Sequence, residues 1–425
     1  MNDYNPIVYL TESLWRDEAF TVLLARHSLA EIISLTSLDF NPPFYYLLLH
    51  GWMRLFGPSE IAIRSLSLLF FIFLLLINYR FCLEFVTKKW AKAISLLMLI
   101  NPMLFYYAFE ARMYSMFAFL ATLSMFAFYK RKWLIYILST VCGLYTHSYM
   151  AFMVMVQVAY VLILLLKKNT NNILPFFLSL GSIALLYAAW IPILISQWMR
   201  SRQSWIYPID IQLILSVLGN LFTGYEGTPA GLWRLTSLLS LVLIGTMVVF
   251  TKKKLLPNIL FTLWIALPLI LVLAVSLVKP LFVNRYLIFV SVAEVMVMGL
   301  VIAQMNDRRL QISLYSVTLL ACLAMTIFSV PYKKKLDMRS VYQQLNTVAS
   351  KNSILMVDPL VLFEGLYYYT YPSRIFIYNP QGTSLPSYLG TAITPKETVI
   401  TSLPQGFPIY TISRDGAVAY SPSHN

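Results

Sequence analysis

Ser13-Leu14-Trp15-Arg16-Asp17-Glu18, an apolar-periodic run to Leu35, Asp39-Phe40-Asn41-Pro42-Pro43 and a second apolar run closed by Gly57-Pro58 together make one long acidic, sharply punctuated segment in a hydrophobic chain. A bilayer span needs about 20 consecutive apolar residues. Both runs are shorter and interrupted, which predicts amphipathic helices along the membrane surface and carboxylates held at the water–membrane boundary. Pro42 and Pro43 suit a helix start, where the missing N–H would be unpaired anyway, and Gly57-Pro58 ends that helix before the first span.

Working outward, the chain has 425 residues, 59% hydrophobic and only 12% charged, with mean hydropathy +0.70. Ordinary soluble domains carry about 25% charged residues. This excludes a soluble globule and predicts a mainly α polytopic membrane protein. Apolar runs near 60–83, 93–109, 113–129, 133–147, 148–166, 173–197, 233–250, 256–278, 286–304 and 310–330 give about ten transmembrane helices. The formal net charge is +14, and basic clusters fall between apolar runs at Lys88-Lys89, Lys130-Arg131-Lys132, Lys167-Lys168, Lys252-Lys253-Lys254 and Arg308-Arg309, each two spans after the last. Every second loop is basic and so cytoplasmic, which makes nucleic acid an unsuitable partner for this charge. The same alternation puts outside the first loop (11–59), the Glu110-Ala111-Arg112 turn, the 198–232 and 279–285 loops and the tail. A plasma (inner) membrane protein with its polar face extracytoplasmic is the expectation. Cys82, Cys142 and Cys322 fall in or beside apolar runs and read as small buried hydrophobes.

Polar residues at the outer face supply the candidate site. Asn101-Pro102 and Glu110-Ala111-Arg112-Met113-Tyr114 surround the turn after the second span, and a carboxylate and a guanidinium two residues apart there can face one cavity. A juxtamembrane ion pair is the plainer reading. His147, with Thr146 and Tyr149, sits at the outer end of a span, as a hydrogen-bond donor to a phosphate or as a structural cap of the helix. Arg200, Arg202, Trp205 and Tyr207 read as an interfacial belt or as substrate contacts. The apolar stretch 211–222 reads as a re-entrant or surface helix, followed by a loop with Gly224, Gly227 and Gly231 around Glu226. Lys279-Pro280-Leu281-Phe282-Val283-Asn284-Arg285-Tyr286 offers a planar guanidinium fork suited to two phosphate oxygens and a point charge nearby, or else snorkelling side chains. Glu294 lies near the middle of a span, where an ionisable group is a functional candidate by default.

After Val330 the composition becomes polar enough to fold in water. A helical pattern at Met338–Ser350 and β-rich runs at Ile354–Val357, Arg374–Tyr378, Thr398–Ser402, Pro408–Ser413 and Ala417–Tyr420 predict a small extracytoplasmic α/β domain, 332–425, beside a membrane domain, 1–331. Tyr367, Tyr368, Tyr369 and Phe376 are its expected core aromatics, and its expected role is to recognise an acceptor, to cover the site, or purely structural.

Trp15-Arg16-Asp17-Glu18, Asn41-Pro42-Pro43-Phe44-Tyr45-Tyr46 and Phe56-Gly57-Pro58-Ser59-Glu60 with Arg64 resemble the first-loop signature of GT-C membrane glycosyltransferases. The nearest group is that of the protein O-mannosyltransferases and aminoarabinose transferases, glycosyltransferase family 39. Glu110-Ala111-Arg112-Met113-Tyr114 and Arg285-Tyr286 resemble two further motifs of that family, whereas Asn41 stands where many relatives have His, so no role passes to it. The resemblance implies one more span before the first loop, so that here either the start is truncated or the short N-terminus is translocated. It implies a GT-C fold and a polyprenyl-phosphate sugar donor, with a glycan, lipid or protein acceptor.

The sequence shows no Asp-x-Asp motif, Walker loop or Gly-rich dinucleotide turn that would serve a nucleotide sugar. Direct displacement at the anomeric carbon needs one carboxylate base and cations at the departing phosphate. By resemblance Asp17 heads the first motif as the base. Glu18 orients the acceptor or its neighbour, Arg112 and Arg285 bind phosphate, and Lys279, Tyr114, Tyr286 and His147 line the site. Asp39 and Glu110 polarise a sugar hydroxyl, and Asp17 and Glu110 are candidate ligands should a divalent cation be the cofactor. The transferred group would be a hexosyl or pentosyl unit. The alternatives are a carrier or flippase for lipid-linked sugars, which needs no base, and a non-catalytic subunit, for which the acidic motifs would be dispensable.

Overall fold

The computed structural model of the chain describes residues 5–168, 173–200, 256–422 and positions 206, 208, 209 and 238. Arg202, Trp205, Tyr207, the 211–222 stretch, the glycine loop around Glu226 and the 233–250 run lie outside the described residues. The chain divides into two compact units, Met1–Ile7 with Ser65–Ile193 and Ile206–Lys333, and Val8–Arg64 with Leu194–Trp205 and Lys334–Asn425.

In the first unit, helix after helix is built from the apolar runs. Among the described residues five helices are long and apolar enough to cross a membrane: Glu60–Cys82, Leu174–Arg200, Ile259–Ser276, Asn284–Ala303 and Arg308–Phe328. A sixth arises if Lys88–Leu99 and Pro102–Ala108, bent by 67°, are one broken span. Tyr114–Tyr129, Trp133–Leu144 and Met150–Leu166 are apolar but shorter. Of the ten spans expected, five or six full-length ones and three short apolar helices are seen among the described residues.

The expected span over 93–109 is broken for a local reason. Proline disfavours the helical conformation in the residue before it, and Asn101 adopts an extended φ, ψ of −61°, 124°. Its side chain then accepts from the Leu104 N–H at 3.0 Å and starts the second helix. Helix Ile288–Ala303 packs against Lys88–Leu99, Tyr114–Tyr129 and Leu256–Ser276. Gly299 permits this, since a Cβ there would lie 2.5 Å from Ile94. By contrast Arg308–Phe328 leaves Leu320 and Phe328 largely exposed, the surface expected to meet lipid. Between the short helices a polar relay joins Tyr136, Gln157, Ser124 and Thr140 through contacts of 3.0, 3.0 and 2.8 Å.

The second unit combines the first loop with the tail. Its loop part forms helices Arg16–Ala25, Leu29–Leu38 and Phe44–Phe56. The run to Leu35 is therefore two helices, because Ser28 and Glu31 form a reciprocal capping box that starts a new one. Pro43 does begin the third, and Gly57, at φ +82°, ends it. Arg200 donates to the Ser37 and Leu38 carbonyls at 2.8 and 3.3 Å, and Gln197 to Thr36 O at 3.0 Å, which satisfies the last turn of Leu29–Leu38.

In the tail, β1 (Ile354–Val357), β2 (Ile375–Tyr378), β3 (Val399–Ile400), β4 (Ile409–Ile412) and β5 (Val418–Ser421) form one sheet in the order β3-β2-β1-β4-β5. All neighbours are parallel except β4 and β5. β1 is central and buried throughout, as a parallel strand covered on both faces requires. Helix Met338–Val348 contributes buried Met338, Tyr342 and Leu345. Helix Leu362–Tyr368, in the β1–β2 crossover, was not expected from the sequence. Of the four anticipated core aromatics only Tyr369 is buried. Tyr367 and Tyr368 instead donate to the first loop, at Pro58 O (2.7 Å) and Glu60 Oε1 (2.9 Å).

Candidate active site

Two clusters of the expected residues exist, one within each unit. In the loop-and-tail unit, helix Arg16–Ala25 carries both carboxylates of the first motif in its first turn. Side chains one position apart on a helix diverge by about 100°, and the two carboxylates accordingly meet different surroundings.

Glu18 is fully buried. The Arg64 guanidinium grips it through Nε to Oε1 at 2.8 Å and Nη2 to Oε2 at 2.7 Å, and Lys335 Nζ donates to Oε2 at 2.9 Å. The remaining Arg64 hydrogens go to the carbonyls of Leu10, Glu12 and Ser13. Glu12, buried beside Lys335, has its carboxyl pushed up by burial and partly restored by that ammonium. Arg339 adds contacts to Glu60 at 3.1 Å and to Ser13 Oγ at 3.0 Å. Asp17 stays partly exposed, its carboxylate 3.5 Å from Arg16 Nε. Partial exposure and the helix N-terminus both favour an ionised carboxylate. Asp39 terminates helix Leu29–Leu38, and Asn41 donates to its carboxylate at 3.4 Å.

In the membrane unit, Arg112 and Arg285 come from segments far apart in sequence, and the charges of both reach the His147 ring and the Tyr114 hydroxyl. Glu110 also acts on that hydroxyl, and the Arg112 N–H donates to Glu110 O at 2.7 Å. Tyr286 lies at the centre: its ring is 5.0 Å from His147, 5.3 Å from Tyr149 and 6.4 Å from Tyr114, with Arg285 5.7 Å away over its face. His147 stacks on Phe117 at 4.8 Å, and its Nδ1 accepts from the Tyr149 N–H at 3.2 Å, which leaves Nε2 as the protonated nitrogen of the neutral ring. The Tyr149 hydroxyl in turn donates to Leu281 O, in the loop leading to Arg285. Two guanidinium groups, a neutral imidazole and three phenols thus share one aromatic-walled cluster. Lys279 follows helix Leu256–Ser276, its N–H bonded to Val275 O at 3.0 Å, and desolvation pulls its ammonium pKa down. Glu294 is fully buried in helix Ile288–Ala303, with neither carboxylate oxygen hydrogen-bonded among the described residues.

A scan against family models gives no match, and neither does a search of curated proteins. Solved structures do match. ArnT from Cupriavidus metallidurans in its apo state superposes with TM-score 0.65 at 11% identity, covering 96% of this chain and 90% of ArnT. ArnT bound to undecaprenyl phosphate gives 0.63 at 10% identity over the same shares. The oligosaccharyltransferase AglB from Archaeoglobus fulgidus, in complex with an inhibitory peptide and a dolichol-phosphate, gives 0.55 at 9% identity, over 97% of this chain and 71% of AglB. The chain has the GT-C fold. The ArnT match spans nearly the whole chain.

Sequence reading missed Glu12, Lys335, Arg339 and Glu364, all in or beside the first cluster. Arg64 was part of a motif but carried no role. Its position one turn into a span was the available signal, because an ionisable group there needs a partner.

Proposed function

We propose that this protein is a membrane glycosyltransferase that moves a sugar from a polyprenyl-phosphate carrier to an acceptor hydroxyl on the extracytoplasmic face. The observation that carries the reading is the convergence of Arg112 and Arg285 on one aromatic cluster in the membrane unit. Paired guanidinium groups bind phosphate oxygens through charge-assisted, bidentate hydrogen bonds, and in a site lined by rings they are little screened. That ArnT and AglB hold undecaprenyl phosphate and dolichol-phosphate in this fold supports a lipid phosphate as the ligand.

In the proposed reaction the acceptor oxygen attacks the anomeric carbon as the bond from that carbon to the phosphate oxygen breaks. The electron pair leaves with the lipid phosphate, and Arg112 and Arg285 stabilise its charge. Asp17 takes the acceptor proton. Glu18, locked by Arg64 and Lys335, orients its neighbour Asp17 by fixing the first turn of their helix. His147 and Tyr286 line the phosphate site; Lys279, Asp39, Glu110 and Tyr114 supply further polar contacts to sugar and phosphate. Among the described residues no group of three or more His, Cys, Asp or Glu forms a cation site, and no step is routed through a metal.

The test is to give purified protein in vesicles a panel of polyprenyl-phosphate sugars with hydroxyl acceptors and to follow free polyprenyl phosphate by mass spectrometry. Release of lipid phosphate with matching glycosylated acceptor is the expected result. Movement of intact donor between leaflets without release would instead make the protein a carrier.

A further inference from the structure

Glu364 has no place in the reaction as described, yet the tail delivers it to the start of the helix that carries Asp17. It lies in the first turn of helix Leu362–Tyr368, is 4% exposed, and its Oε2 accepts no hydrogen bond among the described residues. The Arg16 backbone amide bonds to its carboxyl, and the charges of Arg16 and Asp17 both act on it. From the other neighbouring helix the Tyr342 phenol lies within its electrostatic reach.

The packing around this contact is tight. Phe363, adjacent to Glu364, meets Phe20 edge to face at 5.4 Å. Gly390, at φ +79°, closes over both rings, where a Cβ would lie 2.6 Å from Phe363 and 2.9 Å from Phe20. Arg16 Nη2 donates to Tyr388 O at 3.0 Å, just before that glycine. A buried acid with an unused oxygen costs stability that an apolar side chain would not, so its retention here calls for a return.

We infer that Glu364 is a positioning residue for glycosyl transfer: from the tail domain it anchors the Arg16 backbone amide at the start of helix Arg16–Ala25, and through it sets where the Asp17 carboxylate stands. This rests on the reading of Asp17 as the base. Burial also pushes the Glu364 carboxyl up to about 8, so that it works as a neutral acid near pH 7 and adds no second negative charge beside Asp17. The neutral form has a close mimic in glutamine.

The experiment compares Glu364→Ala, Glu364→Gln and Asp17→Asn in the full-length protein, each measured for single-turnover transfer, donor affinity and thermal stability. Misplacing a catalytic group by about 1 Å costs on the order of 100-fold, so Glu364→Ala should transfer about 10- to 100-fold more slowly with donor affinity unchanged. Glu364→Gln should restore transfer to within about threefold. Equal transfer in wild type and Glu364→Ala overturns the inference. So does parallel loss of donor binding and stability in Glu364→Ala, which would mark a scaffold residue, and so does a glutamine variant as slow as alanine. Failure of the underlying reading shows separately, as transfer retained in Asp17→Asn.

Discussion

Arg64 holds Glu18 through two nearly parallel hydrogen bonds of 2.7 and 2.8 Å, with both side chains fully buried. The two residues stand 46 positions apart, at the ends of the first loop. Removing one partner from such a pair leaves an uncompensated buried charge, which costs about 3–5 kcal/mol. Arg64→Met should therefore lower the thermal unfolding temperature of the detergent-purified protein markedly. Glu18→Gln with Arg64→Met should recover part of the loss, since no charge is then stranded between them. A double variant as unstable as the sum of the singles would show that the pair does not act as a unit.

Asp17 differs from its neighbour by remaining partly exposed. Asp17→Asn keeps size and hydrogen bonding but cannot take the acceptor proton, so turnover should fall by about 10² to 10⁴ while donor binding survives. Single-turnover transfer and donor titration on the same preparation check this. Loss of both together would mean misfolding, and transfer within about threefold of wild type would remove the base.

Arg285 sits over Tyr286 in the membrane-unit cluster, whereas Arg54 is exposed on helix Phe44–Phe56. A hydrogen bond to a charged group is worth about 1.5–3 kcal/mol. Arg285→Ala should weaken binding of a polyprenyl-phosphate sugar by roughly 10- to 100-fold, and Arg54→Ala should leave it unchanged. Equal affinity in wild type and Arg285→Ala would take this residue out of the phosphate site.

Glu364 gives a pH dependence of known sign. Its folded-state pKa, about 8, lies above the ordinary carboxylate value of 4.5, so the folded protein holds this proton where the unfolded chain has released it. Its contribution is fully present below 4.5 and is lost as pH rises through 8. Glu12 is shifted in the same direction. Thermal stability should decline over that window, and Glu364→Gln should flatten the decline. An identical slope in the variant would exclude Glu364 as its source.

The alternation of basic loops predicts which side of the membrane each loop occupies. Single cysteines beside Asp17, beside Arg112 and after Tyr332 should react with an impermeant thiol reagent in intact cells, and one beside Arg131 should not. The reverse pattern would invert the orientation and take the outward site with it.

Much of this architecture is local chemistry and was readable in the chain. Membrane residence follows from composition, because 59% hydrophobic residues cannot be hidden in a soluble core of this size. The start and stop of Phe44–Phe56 follow from Pro43 and Gly57, and the tail strands from short β-rich runs. Helix Leu362–Tyr368 escaped notice because three consecutive tyrosines after Leu366 carry no helical period. The break within 93–109 is invisible to hydropathy, which averages across Asn101-Pro102, while the bend depends on one dihedral.

What the sequence determined by itself is which residues carry charge and where they enter the membrane face: Asp17 and Glu18 in one turn, Arg112 and Arg285 at the starts of spans. Only the tertiary structure decided what each of them meets there. Glu18 is buried because Lys335, 317 residues away, and Arg64 converge on it, and Asp17 is partly exposed because the helix turns it to another side. Likewise the first loop folds in one unit with the tail, a partnership that no periodicity encodes. Periodicity reports only which face of an element is apolar. The identity of the group that meets that face is settled when distant segments pack and each buried charge must find its counter-charge.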